Sequence, residues 1–366
     1  VSGSHAIGIE GNDTIFTING NLTLQDNATI STDSGEVSLG NLDLENGNIS
    51  VNGGTLNLAG GSVGASGQVE VGEQGSLSLE GNLAVSGTLN LNDGASVNFA
   101  DNTIDASGGR LELAGTRSLD SITTNAGTTL QINSSGSISR TGSGANTVGD
   151  LLLSPAEGSS SASLDVSDMS LTVAGTAPQF DENTIELSNG NLEFQNSPTF
   201  SNMSSLSVSS GELIFQDGAT ISGSSFTFTS SIFKPSGTVS LVSSSDFIFD
   251  SDSSVILEGD TTISDDMGSF SWPSLDLNGN TLTLASNITD MSVEGAMSIG
   301  TGESFNSGVS NLSLNSTLTI DNGGTLSSGS GQVQIGGALT LDGELRQGGG
   351  ILNLIGGGTV GSTGRL

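Results

Sequence analysis

The 366-residue chain has 39 acidic and 6 basic side chains, a formal net charge of −33, no Cys, no Tyr, one His and one Trp. The acids are an ordinary share for this length. The cations are what is missing, and Ser, Thr, Asn and 55 Gly stand in their place. Without Cys there are no disulfides, zinc fingers, iron–sulfur sites or thiol catalysis. The six bases (Arg110, Arg117, Arg140, Lys234, Arg346, Arg365) are scattered. Nucleic acid and anionic membranes both need clustered cations, so neither is an expected partner. No apolar run approaches the roughly 18–20 residues that span a bilayer, so no direct membrane insertion is expected. No leader is visible at Val1, which reads as a mature or trimmed product of a secreted protein. A Ser-His-Asp triad would have to use His5, which reads as an ordinary exposed residue.

From the start of the chain, apolar residues alternate with Ser, Thr and Asn over three to five residues, which is strand patterning. Examples in chain order are Ile30-Ser31-Thr32, Val37-Ser38-Leu39, Leu42-Asp43-Leu44, Ile49-Ser50-Val51, Leu56-Asn57-Leu58, Val69-Glu70-Val71, Leu77-Ser78-Leu79 and Leu89-Asn90-Leu91. Between strands stand Asn46-Gly47, Asn52-Gly53, Asp93-Gly94, Asn189-Gly190, Asp217-Gly218, Asn278-Gly279, Asn322-Gly323 and Asp342-Gly343, read as corners at positive φ. No segment has a 3.6-residue period, so no helix is expected.

A rung repeats as Gly-x-apolar-x-apolar after Gly35, Gly54, Gly75, Gly109, Gly190, Gly211 and Gly237, with Thr128 in the Gly position of one copy. Steps near twenty residues belong to solenoids. Asn-Gly is also a hairpin signal, and a β-sandwich is the rival, but its strands prefer wider turn spacing. The expected fold is therefore all-β: a single-chain parallel β-helix (β-solenoid), an elongated rod with coils of about 20 residues and three short strands per coil. Residues 1–366 read as one continuous solenoid. Residues 1–150 are regular Gly-rich aliphatic coils, 151–274 less regular coils with Phe and Pro, and 275–366 regular coils again. All five prolines (Pro155, Pro178, Pro198, Pro235, Pro273) and ten of the thirteen Phe fall in the middle segment.

Candidate chemistry is sparse. Asp250 with Asp252, Asp265 with Asp266, and Asp101 beside Asn102 are the closest acidic groupings. None has calcium-loop spacing, and all read as solvated turn carboxylates. No metal or cofactor is expected. Glycoside hydrolysis needs two facing carboxylates. Stacking Glu36 on Thr55 and Glu193 on Glu212 would bring outward groups one rung apart. Against an enzyme stand the single aromatic platform, Trp272, and the shortage of bases that a polyuronate lyase needs. No catalytic residue is assigned, and Trp272 reads as a packing residue beside Pro273. The sequons at Asn12, Asn21, Asn27, Asn48, Asn133, Asn202, Asn287, Asn311 and Asn315 follow from composition.

Asn21-Leu22-Thr23-Leu24, Gly87-Thr88-Leu89-Asn90-Leu91 and Gly337-Ala338-Leu339-Thr340-Leu341 resemble the rungs of bacterial surface β-helix exoproteins. These are the filamentous-haemagglutinin-like adhesins and the passenger regions of autotransporters. Phe16-Thr17-Ile18-Asn19, Phe99-Ala100-Asp101-Asn102, Phe180-Asp181-Glu182-Asn183 and Gly336-Gly337-Ala338-Leu339 resemble motifs of polymorphic outer-membrane autotransporters. The resemblance implies a right-handed coil, secretion across a Gram-negative outer membrane, and an extracellular or cell-surface place. It also implies non-catalytic work as an adhesin or surface-fibre component. Its partners would be a host or neighbouring cell surface, matrix or polysaccharide, with self-association as a further expectation. The alternatives are a passive spacer or self-assembling fibre module, and a β-helix polysaccharide-degrading enzyme. No secretion domain is recognisable at the start and no barrel follows Arg365-Leu366, which reads as a segment of something longer.

Overall fold

The computed structural model describes residues 5–11, 14–92, 95–100, 102, 104–105, 110–114, 122–124, 129–132, 137–141, 145–148, 150–153, 163–166, 170–175, 178–181, 184–202, 205–242, 245–265 and 269–366. Every regular element among them is a strand, and every strand pairing is parallel. The chain is a β-solenoid whose coils repeat about every 21 residues. It divides into two compact units, Val1–Leu192 and Glu193–Leu366.

In the first unit a coil is three short strands joined by corners. Asn48–Val51, Thr55–Leu58 and Gly61–Val63 make one coil, and Gln68–Val71, Ser76–Leu79 and Leu83–Val85 make the next. Each strand pairs with its counterpart one coil away: Ile49 faces Val69, Leu56 faces Leu77, and Val63 faces Val85. Side chains alternate buried and half-buried along each strand, because the pleat has a period of two. The buried set is aliphatic and stacks in columns: Ile30, Ile49, Val69 and Leu89 on one face, Val37, Leu56 and Leu77 on the next. Each such side chain contributes roughly 1.5–3 kcal/mol by leaving water. A coil alone has nothing to bury them against, so stability comes from stacking.

Two expectations are corrected here. Leu42-Asp43-Leu44 is not a separate strand. Glu36–Leu44 is one bent strand that pairs with Thr55–Leu58 through its first half and with Gly61–Val63 through its second. The rung alignment also slips after Gly75. Glu36–Leu39, Thr55–Leu58 and Ser76–Leu79 share a face whose next member is Ser96–Ala100. Arg110–Ala114 instead stacks on Thr88–Leu91, and Thr129–Ile132 on Ile104–Asp105. All three faces use the same apolar alternation, so the motif does not say which face a rung belongs to.

The corner glycines work in two ways. Asn278-Gly279 has the expected positive φ at both residues, 49° and 83°. Gly53 does not. Its Cβ would meet the Asp33 carbonyl oxygen at 2.3 Å, so glycine is there to let two backbones approach.

In the second unit one face runs without interruption through eight strands, from Thr199–Ser201 to Glu344–Gln347. The other two faces break. Ser205–Ser209, Ser225–Thr229 and Asp246–Phe249 form one ladder, and a new one begins at Ser269–Trp272. Leu275–Asp276 likewise ends a ladder that Met297–Ile299 does not continue. The core changes at the same place. Phe194, Phe200, Phe215, Phe226, Phe228 and Phe233 fill the earlier coils; the coil that opens the new ladder buries Trp272 with Leu275, Leu277, Leu282 and Leu284, and the next buries Met291, Val293, Met297 and Phe305. Where the packed side chains change from one coil to the next, only one of the three ladders keeps its hydrogen-bonding register across the change.

Candidate functional site

The carboxylates come first, since they dominate the charge. Many accept hydrogen bonds from the neighbouring coil. Asn57 Nδ2 donates to Glu36 Oε1 at 2.9 Å, and Ser38 Oγ donates to the same oxygen at 2.9 Å. Asn52 Nδ2 donates to Asp33 at 2.8 Å, Asn92 Nδ2 to Glu70 at 3.0 Å, and Asn311 Nδ2 to Asp290 at 2.9 Å. Glu303 accepts from the Gly300 and Gly279 backbone N–H groups at 2.6 and 2.7 Å. An amide or hydroxyl one rung away takes the place a cation would have in an ordinary acidic protein. Hydrogen bonds to a charged acceptor are worth more than neutral ones.

Glu36 does lie opposite Thr55. Glu193 does not stack on Glu212. Gln216 N–H donates to the Phe194 carbonyl at 2.9 Å, which sets Glu193 level with Ile214, and Glu212 itself faces Ile232. The Glu193 carboxylate accepts from Gln216 Nε2 at 3.2 Å. His5 is exposed. Asp101 and Asp266 lie outside the described residues, as do Asn12, Asp93-Gly94, Gly109, Arg117, Thr128, Asn133, Pro155 and Glu182-Asn183. Asn102 donates to the Leu79 carbonyl at 3.0 Å. Among the described residues no three His, Cys, Asp or Glu side chains converge as a metal would require.

Besides Arg346, which bonds Glu344 at 2.7 Å, Lys234 departs from the cation-free pattern. Its Nζ lies 2.9 Å from Glu212 and 3.5 Å from Glu258, one coil on either side. Burial alone would lower its pKa, but the Glu212 hydrogen bond and charge, with the Glu258 charge, outweigh burial and raise it. The stabilisation it adds is therefore present below the ordinary lysine pKa and is lost as the pH rises through the raised value. Lys234→Met is expected to cost about 1 kcal/mol at neutral pH, measured by urea unfolding. The cost should shrink in high salt, and an unchanged midpoint would show the column to be neutral.

The break between Asp246–Phe249 and Ser269–Trp272 leaves a groove of about 610 Å³. One lip is Phe247, Ile248, Phe249 and Asp250, and the other is Ser271, Pro273 and Glu294. Phe247 stacks on Phe226 at 5.1 Å and 8°, and Phe249 stacks on Phe228 at 4.5 Å and 10°. In a regular solenoid the next coil would cover their other faces. Here Phe270 and Trp272 pack on each other, at 5.4 Å and 50°; they line a small apolar void together with Phe247, and among the described residues no later ring stacks on Phe247 or Phe249. The two Phe rings lie side by side, 6.2 Å apart and 26° from parallel, and both line the groove. Trp272 is buried, as expected. Ile248 is 52 % exposed at an outward position where the two preceding rungs carry Thr227 and Ser207. That apolar residue on the polar face was the signal in the sequence that could have located the groove.

Two carboxylates flank it. Asp250 accepts from Ser253 Oγ at 2.6 Å and from the Ser230 N–H at 3.1 Å. Glu294 accepts from Asn315 Nδ2 at 2.8 Å, Ser292 Oγ at 2.9 Å and Ser271 Oγ at 3.1 Å. The Ser253 hydroxyl and Ser230 N–H hold Asp250 below the ordinary carboxylate range. The Asn315 amide, then the Ser292 hydroxyl, do the same for Glu294. A depressed pKa contributes stability above the unfolded value that is lost as the pH falls through the folded one. Stability is therefore expected to hold from neutral pH down to about pH 4 and then fall. In Asn315→Ala the Glu294 carboxyl should titrate at a higher pH by NMR. An unmoved titration would remove the assignment.

No family model and no curated protein matches the chain. Among solved structures it is similar to the crystal structure of a TibC-catalyzed hyper-glycosylated TibA55-350 fragment, at 15 % identity and a TM-score of 0.25. The match covers 98 % of this chain and 99 % of that one.

Proposed function

We propose that the chain is an extracellular surface adhesin or surface-fibre component that binds a cell surface, matrix or polysaccharide without catalysis. The observation that carries this reading is the ladder break, where an apolar groove with two aromatic rings opens on an otherwise hydrogen-bonded polar surface. Contiguous exposed apolar surface of this kind marks interaction sites. A non-catalytic role is supported by Asp250 and Glu294. Both are held ionised, whereas a glycosidase needs one carboxyl with a raised pKa to act as general acid. The cation-poor surface suits a protein displayed on an acidic envelope, since it has little to adhere to nonspecifically.

The test is binding of the fluorescently labelled chain to intact bacterial and epithelial cells and to purified matrix. Saturable binding that Ile248→Glu reduces about tenfold is the expected result. Absence of saturable binding on every surface would overturn the reading. In parallel, the chain incubated with a polysaccharide panel should release no new reducing ends. Release that depends on Asp250 or Glu294 would bring the enzyme reading forward.

A further inference from the structure

We infer that the ladder-break groove is a carbohydrate subsite for uncharged glycans, with the Phe247 and Phe249 rings as its platform. The inference rests on the surface-binding reading above and names the ligand class. Three features point to it together.

The first is the platform. Both rings are fixed from behind by stacking on Phe226 and Phe228, so they are presented rigidly and little side-chain freedom is lost on binding. Their open faces are electron-rich and suit the C–H face of a pyranose ring. Two near-parallel rings 6.2 Å apart offer positions for successive sugars of one chain.

The second is the rim. Asp250 and Glu294 are acceptors, and Ser271 Oγ donates to Glu294. Asp250 Oδ2 and Glu294 Oε2 each accept a single bond from the protein, so a ligand rich in hydroxyl donors can add one to each, and an O–H bonded to a carboxylate is a strong hydrogen bond. An apolar peptide side chain would leave it unused.

The third is charge. No Lys or Arg lines the groove, and both rim carboxylates are ionised. Uronates, sialylated or sulfated glycans and lipid phosphates would meet like charge without a compensating cation, so the groove selects against them. A volume of about 610 Å³ lies in the usual range for small-ligand sites.

The experiment is calorimetry with the whole chain against cellohexaose, mannohexaose, maltohexaose and chitohexaose, with hexagalacturonate as the acidic counterpart. Trp272 is the only Trp and packs on Phe270 beside the groove, so its fluorescence gives a second readout. At least one neutral hexaose is expected to bind with Kd between roughly 10 μM and 1 mM. Hexagalacturonate should bind at least about tenfold more weakly. Phe249→Leu keeps an apolar side chain in the stack but removes the ring face, and should weaken binding about tenfold or more. Phe249→Tyr should stay within about threefold of the parent. Ile248→Ser lies outside the core and guards against loss of fold; it should weaken binding while the melting curve is unchanged. The inference is overturned if no neutral hexaose binds, if hexagalacturonate binds as tightly, if Phe249→Leu binds like the parent, or if a Phe/Leu peptide binds the groove in place of sugar. Cell binding that survives without any hexaose binding would sink this inference and leave the surface-binding reading standing. Loss of all cell and matrix binding would sink that reading itself.

Discussion

Phe215→Ala is expected to lower the unfolding free energy of the second unit by about 3–5 kcal/mol. The Phe215 ring is fully buried and touches three others: Phe194 at 5.8 Å, Phe200 at 6.0 Å and Phe233 at 5.5 Å. Removing it leaves a void among rings stacked on rigid ladders, and ladders at fixed spacing cannot collapse to fill it. The edge-to-face contact with Phe233, at 82°, is lost as well. Phe215→Leu should cost less, about 1–2 kcal/mol, because most of the volume remains. Urea unfolding gives the total. Hydrogen exchange should show the loss first in Ile232–Pro235, which pairs directly with the altered strand. A loss below about 1 kcal/mol would mean that the aromatic column is loosely packed.

Gly54→Val should be comparably damaging in the first unit, by about 3 kcal/mol or more. A Cβ at Gly54 would sit 2.1 Å from the Gly35 carbonyl oxygen and 2.6 Å from Thr32 Oγ1. Neither group can retreat. The Gly35 carbonyl accepts from Thr55 N–H at 2.9 Å, and buried Thr32 Oγ1 accepts from Gly35 N–H at 3.1 Å. Gly54 is also held from the other side, since its own carbonyl accepts from Ser76 N–H at 2.8 Å. Relief requires two coils to part at this corner, which breaks ladder bonds on both sides. A thermal melt of the variant near that of the parent would show that the corner yields more easily than the contacts imply.

Both effects come from features that read differently in the sequence. The glycine before each rung was visible as a repeat, and so was the aliphatic alternation that became the columns of Ile49 on Val69 and Leu56 on Leu77. Parallel stacking of three short strands per coil followed from strand length and turn spacing. Assignment of rungs to faces did not follow. Arg110–Ala114 and Thr55–Leu58 carry the same pattern yet lie on different faces, because pleat periodicity is local while face identity depends on the corners between strands. The Glu193–Glu212 pairing failed for another reason: the two rungs are neighbours on one face, but Glu212 holds the first polar position of its rung and Glu193 the second, so Glu193 lies level with Ile214.

The sequence by itself determined the strand period, the coil length, the apolar columns and the scarcity of cations, since each is set by residue spacing and type within one coil. Tertiary structure alone decided two things. It matched several carboxylates with an amide donor about twenty residues away, as with Glu36 and Asn57 or Glu294 and Asn315. It also broke the ladder between Phe249 and Ser269, where Phe270 and Trp272 pack on each other. Contacts between coils depend on the side chains of both coils at once, and no single rung contains that information.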